Sequence, residues 1–308
     1  MVERVRARPW GVVTAALAGE DVDFGFEAGD DDLDVGSLFQ VGSVTKTMTG
    51  VLLADAVVRG EVTPDAALGD VLDVRGAAAT ITLEQLATQR SGLPRLPANL
   101  DPATVDQADP YANYTADDLR DALEQVTPGP REYLYSNFGF MTLGLALANI
   151  TRLPMSTLLE QRMFAPLGMA TAGCPPKEEG RVPGYNELGS AGWWTTQLPG
   201  AGGVGASITD LAAYLGAHLA APDGPLGEAI TLATTVHAGP PAPSGYGWGS
   251  QGGGWWHNGG TGGFRSFVAL HRPTRTAVAL LANSSRAEHI DGIGLTTLTE
   301  MVRAASAT

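Results

Sequence analysis

Cysteine is nearly missing from this chain: Cys174 is the single one in 308 residues, so no internal disulfide can form. With no His or Asn motif beside it, Cys174 reads as a small buried hydrophobe rather than a nucleophile. Lysine is almost as scarce. Lys46 and Lys177 are the only two, and every other cationic side chain is arginine. Positive charge as a whole is short, with 19 Lys+Arg against 33 Asp+Glu and a net charge of −14. That balance argues against nucleic acid and anionic membrane surfaces as partners. No run of about 18 apolar residues exists, which argues against a transmembrane helix. The apolar stretch after Arg4, Arg6 and Arg8, from Gly11 to Gly19, is short and runs into Glu20-Asp21. It reads as a first strand rather than a signal peptide, and a cytoplasmic location is expected. No internal repeat or low-complexity tract is visible.

What the chain does have is an ordinary globular composition, 44% apolar and 17% charged, which argues against disorder. At this length it holds one large domain or two intimately joined ones. Residues 10–18 and 22–28 form a hairpin pattern, followed by the acidic turn Asp30-Asp31-Asp32 and a short strand from Leu38 to Val41. Helical signals dominate from Glu61 to about Cys174. They include starts at Thr82 and Thr115, a buried helix from Phe138 to Asn149, and another from Met155 to Phe164. Residues 95–113 read as a surface loop. Ser207 caps a helix to Ala220, and strands return over Tyr246–Ser250, Gly254–His257, Phe264–His271 and Thr276–Ala282 before a final helix from Ile290. The expected fold is α/β. An antiparallel sheet is built from both chain ends (1–60 and 200–308) and flanked by helices, with a mostly helical domain (61–199) inserted.

The stretch Phe39 to Gly60 organises the rest. It reads as an extended run, one glycine, and a helix starting at Ser43 and stopping at Gly60. Val44, Met48, Val51 and Leu52 fall at helical spacing and should face the core. Ser43 and Lys46 lie one turn apart on the same side. A lysine desolvated enough to be neutral can take a serine proton, which arginine cannot do. The plainer alternative is a serine N-cap followed by a solvated lysine.

Two further motifs accompany Ser43-Val44-Thr45-Lys46. They are Tyr135-Ser136-Asn137, before the buried helix, and His257-Asn258-Gly259-Gly260-Thr261-Gly262-Gly263, between two strands. With all three, the chain resembles the serine β-lactamase and penicillin-binding-protein superfamily. The likeness is to its class C β-lactamase-like branch, which includes esterases, D-aminopeptidases and acyltransferases. It extends through Ile81 to Pro94, Phe164 to Met169, Gly202 to Leu211 and Trp256 to Asn283, in the family's order. The resemblance implies that Ser43 is the nucleophile, Lys46 its proton acceptor and Tyr135 a second proton shuttle. Tyr135 would need a nearby cation such as Lys46 to favour its phenolate. Asn137 would orient Lys46 and the substrate, or cap the helix that follows. The backbone N–H groups of Ser43 and Gly260 would form the oxyanion hole.

One departure is informative. The third motif of the family usually begins Lys-Thr-Gly or Lys-Ser-Gly, and here it begins with His257, which carries charge only in part near neutral pH. This weakens the case for β-lactamase or DD-peptidase activity. Arg265 could replace the missing charge. Trp193, Trp194, Trp255 and Trp256 are expected to flank the cleft, at most one of each pair contributing, since alternate strand residues face opposite ways. His218, His237, His271 and His289 carry no motif. The expected function is a serine hydrolase acting on an ester or amide bond of a small substrate through an acyl-serine. The alternative is an acyltransferase passing the acyl group to an amine or alcohol, and a silent binding module on the same fold is a third reading. The expected site is Ser43, Lys46 and Tyr135 for catalysis, with Asn137, His257, Gly260, Trp194 and Arg265 for substrate. No metal or cofactor is implied.

Overall fold

In the computed structural model the described residues are 10–27, 29, 32–101 and 103–307. Arg4, Arg6, Arg8, Asp30 and Asp31 lie outside them. The elements run β1 (Val12–Ala18), β2 (Asp21–Glu27), β3 (Phe39–Gln40), α1 (Thr45–Val58), α2 (Leu68–Leu72), α3 (Leu83–Ala87), α4 (Ala116–Gln125), α5 (Asn137–Thr151), α6 (Met155–Leu159) and α7 (Ala165–Leu167). They continue with β4 (Gly184–Asn186), β5 (Gly189–Ala191), β6 (Gly205–Ala206), α8 (Ile208–Ala220), α9 (Pro225–Ala233), β7 (Gly249–Gln251), β8 (Gly254–Gly260), β9 (Arg265–His271), β10 (Thr276–Ala282) and α10 (Ile290–Ser306).

The main sheet has the order β2-β1-β10-β9-β8-β7, every pairing antiparallel, so both chain ends build it. Seven consecutive buried residues make β10 its centre, a pattern that needs cover on both faces. One face carries α10, which packs through Phe267, Val278, Leu280, Ile290 and Leu298. The other belongs to a larger core shared by β1, α1, α5, α8 and α9. The α1 helix is apolar almost all round and buried from Thr45 to Ala56. A helix with no polar face has to lie inside the protein. Val44, Met48, Val51 and Leu52 sit in that core as the spacing predicts.

Local signals set the helix starts. Thr82 with Gln85, Thr115 with Asp118, and Ser207 with Asp210 each form a capping box. Three expectations need correction, and one helix was not expected. Ser43 is not a helix N-cap: it sits in a 3₁₀ turn, Gly42–Val44, and Val44 precedes α1 without a side-chain cap. Tyr246–Ser250 is not one strand, because Gly247 turns to φ +74° and only Gly249–Gln251 pair. The helix from Met155 widens into a π turn over Glu160–Phe164. The α9 helix has no counterpart in the sequence reading, since its N-cap is Gly224, which offers no side-chain signal.

Candidate active site

The Ser43 turn is pinned to the sheet. Val41 N–H donates to Val204 O at 3.1 Å, and Ser266 Oγ on β9 donates to Val41 O at 2.7 Å. Gly42 adopts φ +50°, and a Cβ there would lie 2.7 Å from Gly260 N. Only glycine fits both the dihedral and the approach. A Cβ on Gly259 would lie 3.0 Å from Ser43 N, so β8 runs directly past the serine backbone. Thr261 N–H donates to Phe264 O at 3.0 Å. The alternation of an antiparallel ladder therefore turns the Gly260 N–H away from β9, along an edge that β7 leaves unpaired beyond Trp256. That direction is toward Ser43.

Lys46 is fully buried. Its Nζ lies 3.0 Å from Ser43 Oγ and donates to Ala201 O at 2.7 Å. Burial, with a smaller contribution from the Arg95 charge, holds its pKa well below the ordinary lysine value. A neutral amine at this position has a lone pair for the serine proton. The solvated-lysine alternative does not hold.

Tyr135 is bracketed by Gln89. Leu134 N–H donates to Gln89 O at 2.8 Å, and Ser136 N–H to Gln89 Oε1 at 2.7 Å. Tyr135 and Ser43 line the same cavity, and the Tyr135 ring lies 5.0 Å from Lys46 Nζ and 5.2 Å from the Arg95 guanidinium. Burial raises its pKa more than Ser43 and Arg95 lower it. The expectation of a phenolate favoured by a cationic Lys46 is thereby corrected. A lowered lysine pKa suits a proton acceptor, and a raised tyrosine pKa suits a proton donor.

Asn137 is the first residue of α5, and Ser136 is the cap, accepting from Gly139 N at 2.8 Å. This frees the Asn137 amide. Its Nδ2 donates to Tyr111 OH at 3.3 Å, while Oδ1 is buried without a partner among the described residues. It does not touch Lys46 by any hydrogen bond described, so the expected orienting contact is replaced by one to Tyr111.

These groups open on a cavity of about 580 Å³, within the roughly 300–1,000 Å³ usual for small-molecule sites. Ser43, Tyr135, Asn137, Trp194, Gly260 and Arg265 all line it, so six of the eight expected residues meet there. The other two do not reach its surface. Lys46 lies beneath Ser43. His257 is buried behind the wall, its Nδ1–H donating to Asn258 O at 2.5 Å. Burial, then the nearby Lys46, depress its pKa to about 3, so His257 is neutral and carries none of the expected partial charge.

Of the tryptophans, Trp194 lines the cavity while Trp193 packs on Phe264 at 5.0 Å. Trp255 is in the core and Trp256 lies against Phe267 on the α10 side. Neither residue of the second pair flanks the cleft.

Gln40, Arg95 and Tyr111 are among the cavity-lining residues that were not read as site residues from the sequence. Gln40 mimics a strand pairing. Its Nε2 donates to Trp194 O at 2.6 Å and its Oε1 accepts from Trp194 N at 3.0 Å. Tyr111 meets the Trp194 ring edge-on at 5.9 Å. Beneath them Asp109 accepts from Thr195 N at 2.8 Å and from Thr195 Oγ1 at 2.6 Å, clasping two loops together. Burial pushes the Cys174 thiol up to about 12, in keeping with an inert hydrophobe. No helix of the described residues is long and apolar enough to cross a membrane.

Comparison with known proteins agrees with this fold. A beta-lactamase and D-alanine carboxypeptidase from Pseudomonas syringae superposes with a TM-score of 0.77, at 18% identity over 89% of each chain. A class C beta lactamase from Rhodobacter sphaeroides superposes with a TM-score of 0.83, at 20% identity, over 96% of this chain and 95% of its own. At such identities the likeness is one of fold. The family model described as Beta-lactamase matches residues 8–297. With nearly the whole length matched, the chain belongs to the β-lactamase family.

Proposed function

We propose that this protein is a serine hydrolase that cleaves an ester or amide bond of a small substrate through an acyl-Ser43 intermediate. The family's chemistry is that of serine hydrolases in general. The observation that carries the reading for this chain is the buried Lys46 amine, 3.0 Å from Ser43 Oγ and driven toward its neutral form.

The steps follow from the positions. Lys46 takes the Ser43 proton as Oγ bonds to the substrate carbonyl carbon, and the carbonyl π electrons move onto oxygen. The N–H groups of Ser43 and Gly260 hold that oxyanion; fixed donors of this kind contribute about 3 kcal/mol each. Collapse re-forms the carbonyl and breaks the bond to the leaving oxygen or nitrogen, which Tyr135 O–H protonates. The proton on Lys46 then passes to the Tyr135 phenolate, whose ring centre lies 5.0 Å from Nζ, and both groups regain their starting forms. Water then enters and adds to the acyl carbon as it gives a proton to Lys46; collapse breaks the bond to Ser43 Oγ, which takes that proton back as the acid leaves. An amine or alcohol in place of water would give acyl transfer by the same steps. A neutral His257 where β-lactamases usually carry lysine makes a β-lactam or D-alanyl peptide the weaker candidate.

The test is turnover of p-nitrophenyl acetate and of nitrocefin, with and without an added amine, by wild type and Ser43→Ala. Ester hydrolysis that falls by about 10⁴-fold or more in the variant is expected. Wild-type and variant rates that are equal would overturn the reading. Turnover that depends on the amine would replace hydrolysis by transfer.

A further inference from the structure

Tyr135 stands in a stretch of chain with no helix or strand to hold it. Between α4, which ends at Gln125, and α5, which starts at Asn137, the backbone forms neither. A proton donor must nevertheless keep its place, since a displacement of about 1 Å can cost about 10²-fold in rate. The loop that follows α3 does the holding. Gly129 N–H donates to Gly92 O at 2.8 Å, Ser136 Oγ to Pro94 O at 2.6 Å, and Asn137 N–H to Arg95 O at 2.9 Å. The bonds from the two residues that flank the tyrosine both end on Gln89.

Gln89 has work for its whole backbone and for its side-chain carbonyl. Its N–H donates to Leu86 O at 3.1 Å and closes the end of α3. Its C=O accepts from Leu134 N at 2.8 Å, and its Oε1 accepts from Ser136 N at 2.7 Å. One buried residue thus grips the peptide groups on both sides of Tyr135. It does so at φ +61°, in the left-handed region that glycine and asparagine enter far more readily than glutamine. Asparagine from the same backbone would fall one methylene short of Ser136 N. A side chain chosen for reach against the preference of its dihedral is a departure of the kind that functional sites retain. Gln89 is not among the described residues that line the cavity, so it can act on a substrate only through Tyr135.

We propose that Gln89 is the positioning residue of the proton donor: its two carbonyl oxygens fix the backbone of Tyr135 so that the phenol stands where the leaving atom departs. This deepens the serine-hydrolase reading and rests on it for the role of Tyr135. A residue that served only the fold, by ending α3, would behave differently. Loss of folded protein lowers every rate by the same factor. A displaced donor slows only the step in which it gives its proton. Removing the Gln89 acceptor should therefore weigh on esters whose leaving group needs a proton and spare those whose leaving group does not.

The test uses p-nitrophenyl acetate, whose nitrophenolate departs without a proton, and ethyl acetate, whose ethoxide does not. Both give the same acetyl-enzyme, so kcat/KM compares the acylation step alone. Gln89→Met keeps the length of the side chain and loses the acceptor. It should lower kcat/KM for ethyl acetate by about 10-fold or more, and for p-nitrophenyl acetate by less than about 3-fold. Gln89→Glu keeps an oxygen within reach of Ser136 N–H and should recover part of the ethyl acetate rate. Gln89→Met combined with Tyr135→Phe should be no slower on ethyl acetate than Tyr135→Phe alone, because both remove one contribution. If Gln89→Met does not fold, Gln89→Asn, which suits the dihedral but not the reach, gives the same comparison. Equal losses on the two esters, or losses that add in the double variant, overturn the proposal while the serine-hydrolase reading stands. A wild type that turns over neither ester and carries no acetyl group on Ser43 removes that reading and this proposal with it.

Discussion

The two walls of the cavity are built in different ways. The inner wall, Ser43 with Lys46 buried beneath it, comes from one turn and the helix that continues it. Three residues of separation set the contact, and a buried helix with a hydrogen bond from Lys46 to Ala201 O holds it still. The outer wall, Arg95, Tyr111 and Trp194, comes from irregular loops. It is held by pairings across long stretches of chain, such as Gln40 with Trp194 and Asp109 with Thr195. The difference separates two tasks. Proton transfer needs distances that only a rigid element keeps. Substrate choice can be carried on loops, which vary without disturbing the core.

Breaking the inner wall should have the largest effect. Lys46→Met should lower kcat by about 10³-fold or more, since the nucleophile loses its base. It should also stabilise the fold by about 1 kcal/mol at neutral pH, the usual trade-off at a strained functional site. The sign follows from linkage. Lys46 has a lower pKa folded than unfolded, so the unfolded chain binds the extra proton. Wild-type stability therefore rises with pH from that lowered pKa up to about 10.5 and levels off there. Lys46→Met should lack this slope, as read by thermal melts across pH. Tyr135→Phe comes next, with kcat down by about 10²-fold or more and KM little changed.

The outer wall should respond more gently. Arg95→Ala removes a charge that lowers the Lys46 pKa, so the acid limb of the pH–rate profile should move to higher pH. A limb that stays in place would show that the two residues are not coupled. Asp109→Ala unclasps the loops, and should raise KM by about 3- to 10-fold while kcat stays nearly constant. If kcat fell as steeply as in Tyr135→Phe, the division between the walls would be wrong.

The same division decides what could be read without coordinates. Ser43 and Lys46 were legible because helical periodicity links them, and the capping boxes at Thr82, Thr115 and Ser207 were legible because each is a four-residue pattern. The sheet from both chain ends followed from where the strand patterns fell. Arg95 and Tyr111 were not legible as site residues, since nothing local tells a loop where it folds back. His257 was placed in the right motif, but its charge depends on burial, which spacing does not reveal. Trp255 and Trp256 were near the right strand. The ladder aims Trp255 into the main core and Trp256 toward α10.

The central claim is that an uncharged Lys46 activates Ser43. Its most direct test is the rate of acylation by p-nitrophenyl acetate as a function of pH, read by intact mass with the adduct mapped by peptide. The account predicts one acyl group on Ser43, formed with a rate whose rise is complete well below the ordinary lysine pKa of 10.5. No adduct on Ser43, or a rate that rises only as pH approaches 10.5, would contradict it.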